Sequence, residues 1–243
     1  MQRNGFVRAV VAVALLISLF VYKNASATVI MIGSRVVYHA EDQSVDIQLR
    51  NRDNFPYVIQ AWLDSGDAES TPATGKSPFM ITPASFRIAA NEGQVLRLSK
   101  IGNPQLPKDR ESVFYFNFLQ IPPSNLGGEK KNKIVLMLKN RLKVFYRPAE
   151  ITANPKKIGE MLSFVSSNGG ITIKNNSPFF VSLTEVQLNG KAQKGKIPMI
   201  SPFESQDISL NGGTAPKGQQ SKVKVTYIND YGARVANEYD VQL

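Results

Sequence analysis

The chain contains no cysteine and only one histidine among its 243 residues. The first absence excludes thiol catalysis, thiolate metal sites and structural disulfides together, so in an oxidising compartment the fold must hold by packing alone. The second leaves His39 as the sole base for a hydrolase triad. His39 sits in "RVVYHAEDQS", among strand-forming residues that place it on the surface or at a sheet edge. No histidine-rich or acidic spacing suits a metal. Gly127-Gly128, followed by Glu129-Lys130-Lys131, lacks the strand–turn–helix setting of a phosphate-binding loop. These absences describe a protein that is not an enzyme, with no cofactor and no metal site. Beyond residue 27 no stretch shows helical periodicity, and no apolar run approaches the ~20 residues that a membrane-spanning helix needs.

The residues that are present begin with an export signal. Arg3 and Arg8 precede an uncharged apolar stretch from Ala9 to Tyr22, and Ala25-Ser26-Ala27 then supplies small residues for cleavage. Residues 1–27 therefore read as a secretory signal peptide, with an uncleaved membrane anchor as the alternative. On the first reading the mature protein starts at Thr28, is exported and soluble, and has no stable membrane insertion after cleavage. Residues 1–27 carry three basic and no acidic side chains, so the formal net charge falls from +10 to +7 on their removal.

About 216 residues then remain, enough for one large or two ordinary domains. Short alternating segments recur with turn residues between them. Val45, Ile47 and Leu49 alternate with Asp46, Gln48 and Arg50, Tyr57 to Leu63 carries the only tryptophan, Trp62, and "VFYFNFLQI" from Val113 stops at Pro122-Pro123. After Arg147-Pro148 the pattern restarts with "GITIKN", "FVSLTEVQLNG", "QDISL", "SKVKVTYINDYG" and "NEYDVQL". Asn189-Gly190 and Tyr231-Gly232 are the predicted hairpin turns. Such a run of short strands without helices, over roughly 100 to 120 residues per half, predicts two β-sandwich domains, residues 28–150 and 151–243, with the boundary near Pro148 to Pro155.

One segment breaks the alternation. In "KIVLMLKNRLKVFYRP", Lys133 to Pro148, the residues Ile134 to Leu138 are apolar at every position, although a sandwich strand normally turns one face to water. An edge strand with two apolar faces invites aggregation unless something regularly covers it. Strand addition is the corresponding mode of binding, and Ile134, Leu136 and Leu138 share one face by the period of two. Basic residues cluster in the same region: Lys130, Lys131, Lys133, Lys139, Arg141, Lys143 and Arg147. A polyanion face could look like this, but export argues against nucleic acid, and lysines along an edge also discourage unwanted pairing. A structural protein that polymerises through the same strand is the other reading that the pattern allows.

"LPKDRESVFYFNFLQIPP", Leu106 to Pro123, resembles the signature of the periplasmic chaperones of the chaperone/usher pathway for pilus assembly. "PYVIQAWL", "SPFMITPASFRI", "RLKVFYRPAEI" and "YINDYG" resemble four further blocks of that family. The resemblance spans essentially the whole mature chain. It implies two immunoglobulin-like domains in a boomerang, in the periplasm, binding pilus or fimbrial subunits whose sandwiches lack a final strand and delivering them to an outer-membrane usher. Ile134, Leu136 and Leu138 match the family's donor residues. Arg35 and Lys143 match the basic pair that anchors the subunit's C-terminal carboxylate, and Glu111, Arg147 and Asp230 an ion network between the domains. The free chaperone is expected as a monomer or a small strand-capped self-dimer. The loop between Pro123 and Ile134 resembles that of the short-loop subfamily, whereas Ala84-Ser85 departs from the usual family pattern. Strict alternation puts Lys143 on the face opposite the donor residues, which predicts a bulge or strong twist around Lys139 to Leu142.

Overall fold

The computed structural model describes residues 28–102, 105–124, 134–167, 170–210 and 218–243. The signal-peptide assignment at 1–27, the Gly127-Gly128 loop and Lys130, Lys131 and Lys133 lie outside the described residues.

The first half contains β1 (Val29–Met31), β2 (Arg35–His39), β3 (Ser44–Asn51), β4 (Tyr57–Asp64), β5 (Phe79–Thr82), β6 (Ser85–Ile88), β7 (Gly93–Lys100), β8 (Ser112–Ile121) and β9 (Leu138–Arg147). They form a four-stranded sheet in the order β1-β3-β7-β5 and a five-stranded sheet in the order β2-β9-β8-β4-β6. The period-2 pattern decides which residues fill the space between them. Ile47 and Leu49 from one sheet meet Phe114, Phe116, Phe118 and Val144 from the other, all buried. Gln120 continues the inward row of β8, and a buried amide must be satisfied. Its Oε1 accepts from Val29 N at 2.8 Å and its Nε2 donates to Val29 O at 2.8 Å, which pins β1 across the core. His39 ends β2, a sheet-edge strand, and is exposed.

The second half contains β10 (Leu162–Ser167), β11 (Gly170–Asn175), β12 (Ser182–Leu188), β13 (Lys191–Ala192), β14 (Ser205–Ser209), β15 (Gln220–Ile228) and β16 (Arg234–Gln242). Its sheets run β10-β11-β14 and β13-β12-β15-β16 around a separate core that includes Ile171, Ile173, Phe179, Val186, Val223 and Val225. Asn189 (φ 48°) and Gly190 (φ 78°) both take left-handed backbone between β12 and β13, the conformation a two-residue hairpin demands. Residues 229–233 join β15 to β16. The chain is therefore all-β, two immunoglobulin-like sandwiches. Among the described residues the one helical element is a 3₁₀ segment, Pro155–Met161, whose cap Asn154 accepts from Lys156 N at 3.0 Å. A segment this short carries no legible periodicity, and its signals are the cap and the proline that follows. No helix of the described residues is long and apolar enough to cross a membrane.

Candidate functional site

Strand β9 is paired unevenly. On one side β8 accompanies it from Leu138 (opposite Gln120) to Tyr146 (opposite Ser112); on the other, β2 runs parallel to it only from Lys143 to Arg147. One edge of Leu138 to Leu142 thus has no strand neighbour among the described residues, and Ile134 to Met137 precede the strand without any ladder. All five apolar residues here face solvent: Ile134 is 91% exposed, Leu136 74% and Leu138 48%, with Val135 and Met137 between them at 51% and 57%. Buried Val144 and partly buried Leu142 and Tyr146 continue the even-numbered row into the first core.

Of the predicted bulge or strong twist around Lys139 to Leu142, the bulge is not there. The β8–β9 register runs from Leu138 to Tyr146 without a shift, and the ladder that does slip lies in the second domain, between Leu183 and Glu185. Strict alternation is kept, so Lys143 reaches the cleft from the reverse face of the strand, the face that also carries Lys139, Arg141, Phe145 and Arg147. The donor residues and Lys143 thus lie on opposite faces of one regular strand, and no bulge is needed.

Arg35 and Lys143 are direct register partners on neighbouring parallel strands. Arg35 Nη1 donates to Ile228 O at 3.0 Å, its Nε is buried without a partner, and its guanidinium lies 5.7 Å from the centre of the Phe145 ring. Lys143 Nζ donates to Ser182 Oγ at 3.2 Å. These acceptors are neutral, and among the described residues neither cation is salt-bridged to a carboxylate. Burial and the nearby charges of Arg35 and Lys196 hold the Lys143 ammonium below the ordinary lysine pKa. Burial likewise lowers Arg35, against the pull of Asp230 and Glu111.

Those two carboxylates belong to a third cation. Arg147 donates from Nε (2.9 Å) and Nη2 (2.7 Å) to Glu111 Oε1, and from Nη1 (2.8 Å) to Asp230 Oδ2. Glu111 Oε2 accepts from Phe180 N at 2.9 Å, so the network ties β9 and the segment before β8 to the second domain. Phe145 packs on Phe180 beside it, with ring centres 5.7 Å apart. The structure brings the five charged residues singled out in the sequence into one cleft, as three cations against two carboxylates. Lys196 adds a further positive charge near Lys143, so the cluster carries a net positive charge that suits an anion. Ser182, the Ile228 carbonyl and Phe180 complete the site and carried no sequence signal, because nothing local in "VSLTE" or "YINDY" marks a residue that faces another domain.

Residues 28–152 match the family model described as "Pili and flagellar-assembly chaperone, PapD N-terminal domain", and residues 157–239 match "Pili assembly chaperone PapD, C-terminal domain". The probable fimbrial chaperone YehC of Escherichia coli K12 is 35% identical over 214 residues, 88% of this chain and 87% of that protein. The crystal structure of the YadV chaperone superposes with a TM-score of 0.74 at 32% identity, covering 88% of this chain and all of that one. A Salmonella enterica structure of SafA pilin in complex with the SafB chaperone matches in fold, with a TM-score of 0.76 at 23% identity over 90% of this chain and 99% of that one.

Proposed function

The chain belongs to the family of pilus-assembly chaperones, and from that premise we propose that it holds pilus subunits by lending them Ile134, Leu136 and Leu138 while Arg35 and Lys143 anchor the subunit's C-terminal carboxylate. The family's role is that of a periplasmic, non-enzymatic chaperone of pilus or fimbrial subunits. The finer assignments are our reading: export by a signal peptide removed after Ala27, division into domains at residues 28–150 and 151–243, delivery to an outer-membrane usher, and a strand-capped self-dimer of the free protein.

One observation carries the reading. The open edge of β9 ends where β2 begins, at Arg35 and Lys143. A guest strand lying along that edge in line with β2 has one terminus beside two cations. If it runs parallel to β9 that terminus is a carboxylate; if antiparallel, it is an amino group facing like charge. Charge-assisted hydrogen bonds favour the first by a wide margin. The same contact fixes register, and a one-residue slip would turn the guest's apolar row out of the groove. Main-chain pairing at the edge then supplies affinity and the alternating side chains specificity, a mode of which chaperone–pilin complexes are a recognised instance.

The donor residues test this directly. Leu136 is exposed in the free protein, so Leu136→Ala leaves folding intact, yet a leucine buried on binding contributes about 1.5–3 kcal/mol. A complex with a co-expressed fimbrial subunit should therefore dissociate at lower urea and about tenfold or more faster. An unchanged dissociation rate would show that Leu136 is not received by the subunit. Sizing of the purified protein addresses the polymer alternative: a chaperone elutes as monomer or dimer, whereas a self-assembling sandwich forms a ladder.

A further inference from the structure

The outward face of the five-stranded sheet carries an arrangement that neither the groove nor the cleft uses. Asp64 and Asn117 are fully buried there, although they point away from the core, because the segment between β4 and β5, with its own buried Ser70, folds over them. Asp64 Oδ2 accepts from Asn117 Nδ2 at 2.7 Å and from Ser70 Oγ at 2.9 Å, and Asp64 Oδ1 accepts from Gly66 N at 2.8 Å and from Arg141 Nη2. Trp62 Nε1 donates to Ser70 Oγ at 3.0 Å. Burial alone would raise the Asp64 pKa; the donors from Gly66, Asn117 and Ser70 and the Arg141 charge outweigh it and hold the carboxyl below the usual range.

Two side chains of β9 are held by this cover. Arg141 sits over Tyr115, with its guanidinium carbon 3.5 Å from the ring centre, while it pairs with Asp64. Lys139 donates to the carbonyls of Ala68 at 2.7 Å and Ser70 at 2.8 Å and sits 5.3 Å above the Trp62 ring. The covering loop is itself pressed tightly onto β4: a side-chain carbon at Gly75 would lie 2.6 Å from both the Leu63 carbonyl and the Trp62 ring. Leu138, next to Lys139, is the last residue that β8 pairs; beyond it the donor segment has no ladder.

We propose that Lys139 and Arg141 are positioning residues, a brace on the reverse face of β9 that fixes the direction in which the donor segment leaves the sheet. The proposal rests on the strand-lending reading above. Brace and donor residues occupy opposite faces of the same regular strand, so the strand is gripped from behind while its other face stays open. Ordering the launch point before a guest arrives lowers the entropic cost of binding, because fewer side chains and less backbone are immobilised in the complex.

The test uses the purified mature protein and a synthetic peptide of alternating apolar residues with a free C-terminal carboxylate. Lys139→Met keeps the stem on Trp62 and loses the ammonium. Asp64→Asn with Arg141→Met removes the ion pair without stranding a buried charge. Each should weaken peptide binding by roughly tenfold, the worth of one or two newly mobile side chains, and should speed amide exchange at Leu138 to Leu142. Lys139→Arg, which keeps a cation and donors over Trp62, should bind as the parent does. Val45→Ala, in the opposite sheet, controls for a general loss of stability and should leave peptide affinity unchanged. Equal affinity in both brace variants, or affinity that tracks thermal stability across all of them, including Val45→Ala, overturns the brace. Failure of the unaltered protein to bind the peptide overturns the strand-lending reading, and the brace with it.

Discussion

Arg35→Ala and Lys143→Ala should each leave a folded protein that no longer protects a co-expressed fimbrial subunit from degradation. The two cations lie side by side, half-buried, with neutral acceptors only, so they are held apart from water in advance of the anion they would bind. Truncating one member of a desolvated charge contact costs about 2–5 kcal/mol of binding, or some thirty- to several-thousandfold in affinity. The fold should not share that loss. Burial and two neighbouring cations already depress the Lys143 pKa, which means that its charge opposes folding, and removing it leaves stability equal or slightly improved. Loss of subunit with unchanged thermal stability therefore separates anchoring from a structural role. Arg35→Lys should fall between, since an ammonium cannot present the planar fork that a carboxylate accepts.

The pH dependence has a definite sign. A bound carboxylate raises the Lys143 pKa above its value in the free protein, so the favourable contact is fully present below the free value and fades as pH rises through it. That free value is lower than ordinary lysine. Subunit complexes of the parent protein should loosen as pH rises from the free Lys143 pKa toward the bound one, and those of Lys143→Met should show a flatter profile over the same range. Normal recovery of subunit with both alanine variants would remove the cleft from the mechanism altogether.

Much of this was legible in the sequence, for physical reasons that differ by element. Asn189-Gly190 announces its hairpin because few residue pairs tolerate two consecutive left-handed conformations, and β3 shows its inner face because one side of that sheet is wet. The donor segment declared itself by violating that alternation. The relation between its two faces was less accessible. A bulge looked necessary as long as donor residues and Lys143 were expected on a single face, whereas the structure keeps the strand regular, with the donor residues on the front of β9 and Lys143 on the back. The outer-face network was hidden for a related reason. Asp64, Ser70, Asn117 and Arg141 come from three strands and a loop, and a polar residue at an outward position looks solvated until a loop is known to cover it. Three residues of the cleft's ion network were found through family blocks rather than spacing, because contact between domains leaves no periodic trace.

Arg147→Met should produce the largest loss of stability, about 3–5 kcal/mol by equilibrium urea unfolding, because it leaves the buried Glu111 without its cation. One guanidinium serves two carboxylates here, and this explains the opposite positions of the partners. Two anions more than offset the burial of Arg147 and raise its pKa, while Glu111 shares its cation with Asp230, is repelled by it, and is raised chiefly by burial. Without Arg147 that burial is opposed by the Phe180 amide and by the more distant charge of Arg35. The Glu111 pKa in the folded variant then stands further above its unfolded value of about 4.3 than in the parent, so the folded state binds the proton more tightly and gains relative stability as pH falls. The deficit of Arg147→Met should thus be largest near neutrality and shrink toward about pH 4. Glu111→Gln added to Arg147→Met should recover much of the loss at neutral pH, since the amide still accepts from Phe180 and carries no charge. Asp230→Asn should cost less than Arg147→Met, its carboxylate being 30% exposed against 2% for Glu111. A deficit for Arg147→Met that stayed constant from neutral to acid pH would mean that Glu111 is not the group left unpaired, and that the residue holds the domains together by its packing on Phe179 instead.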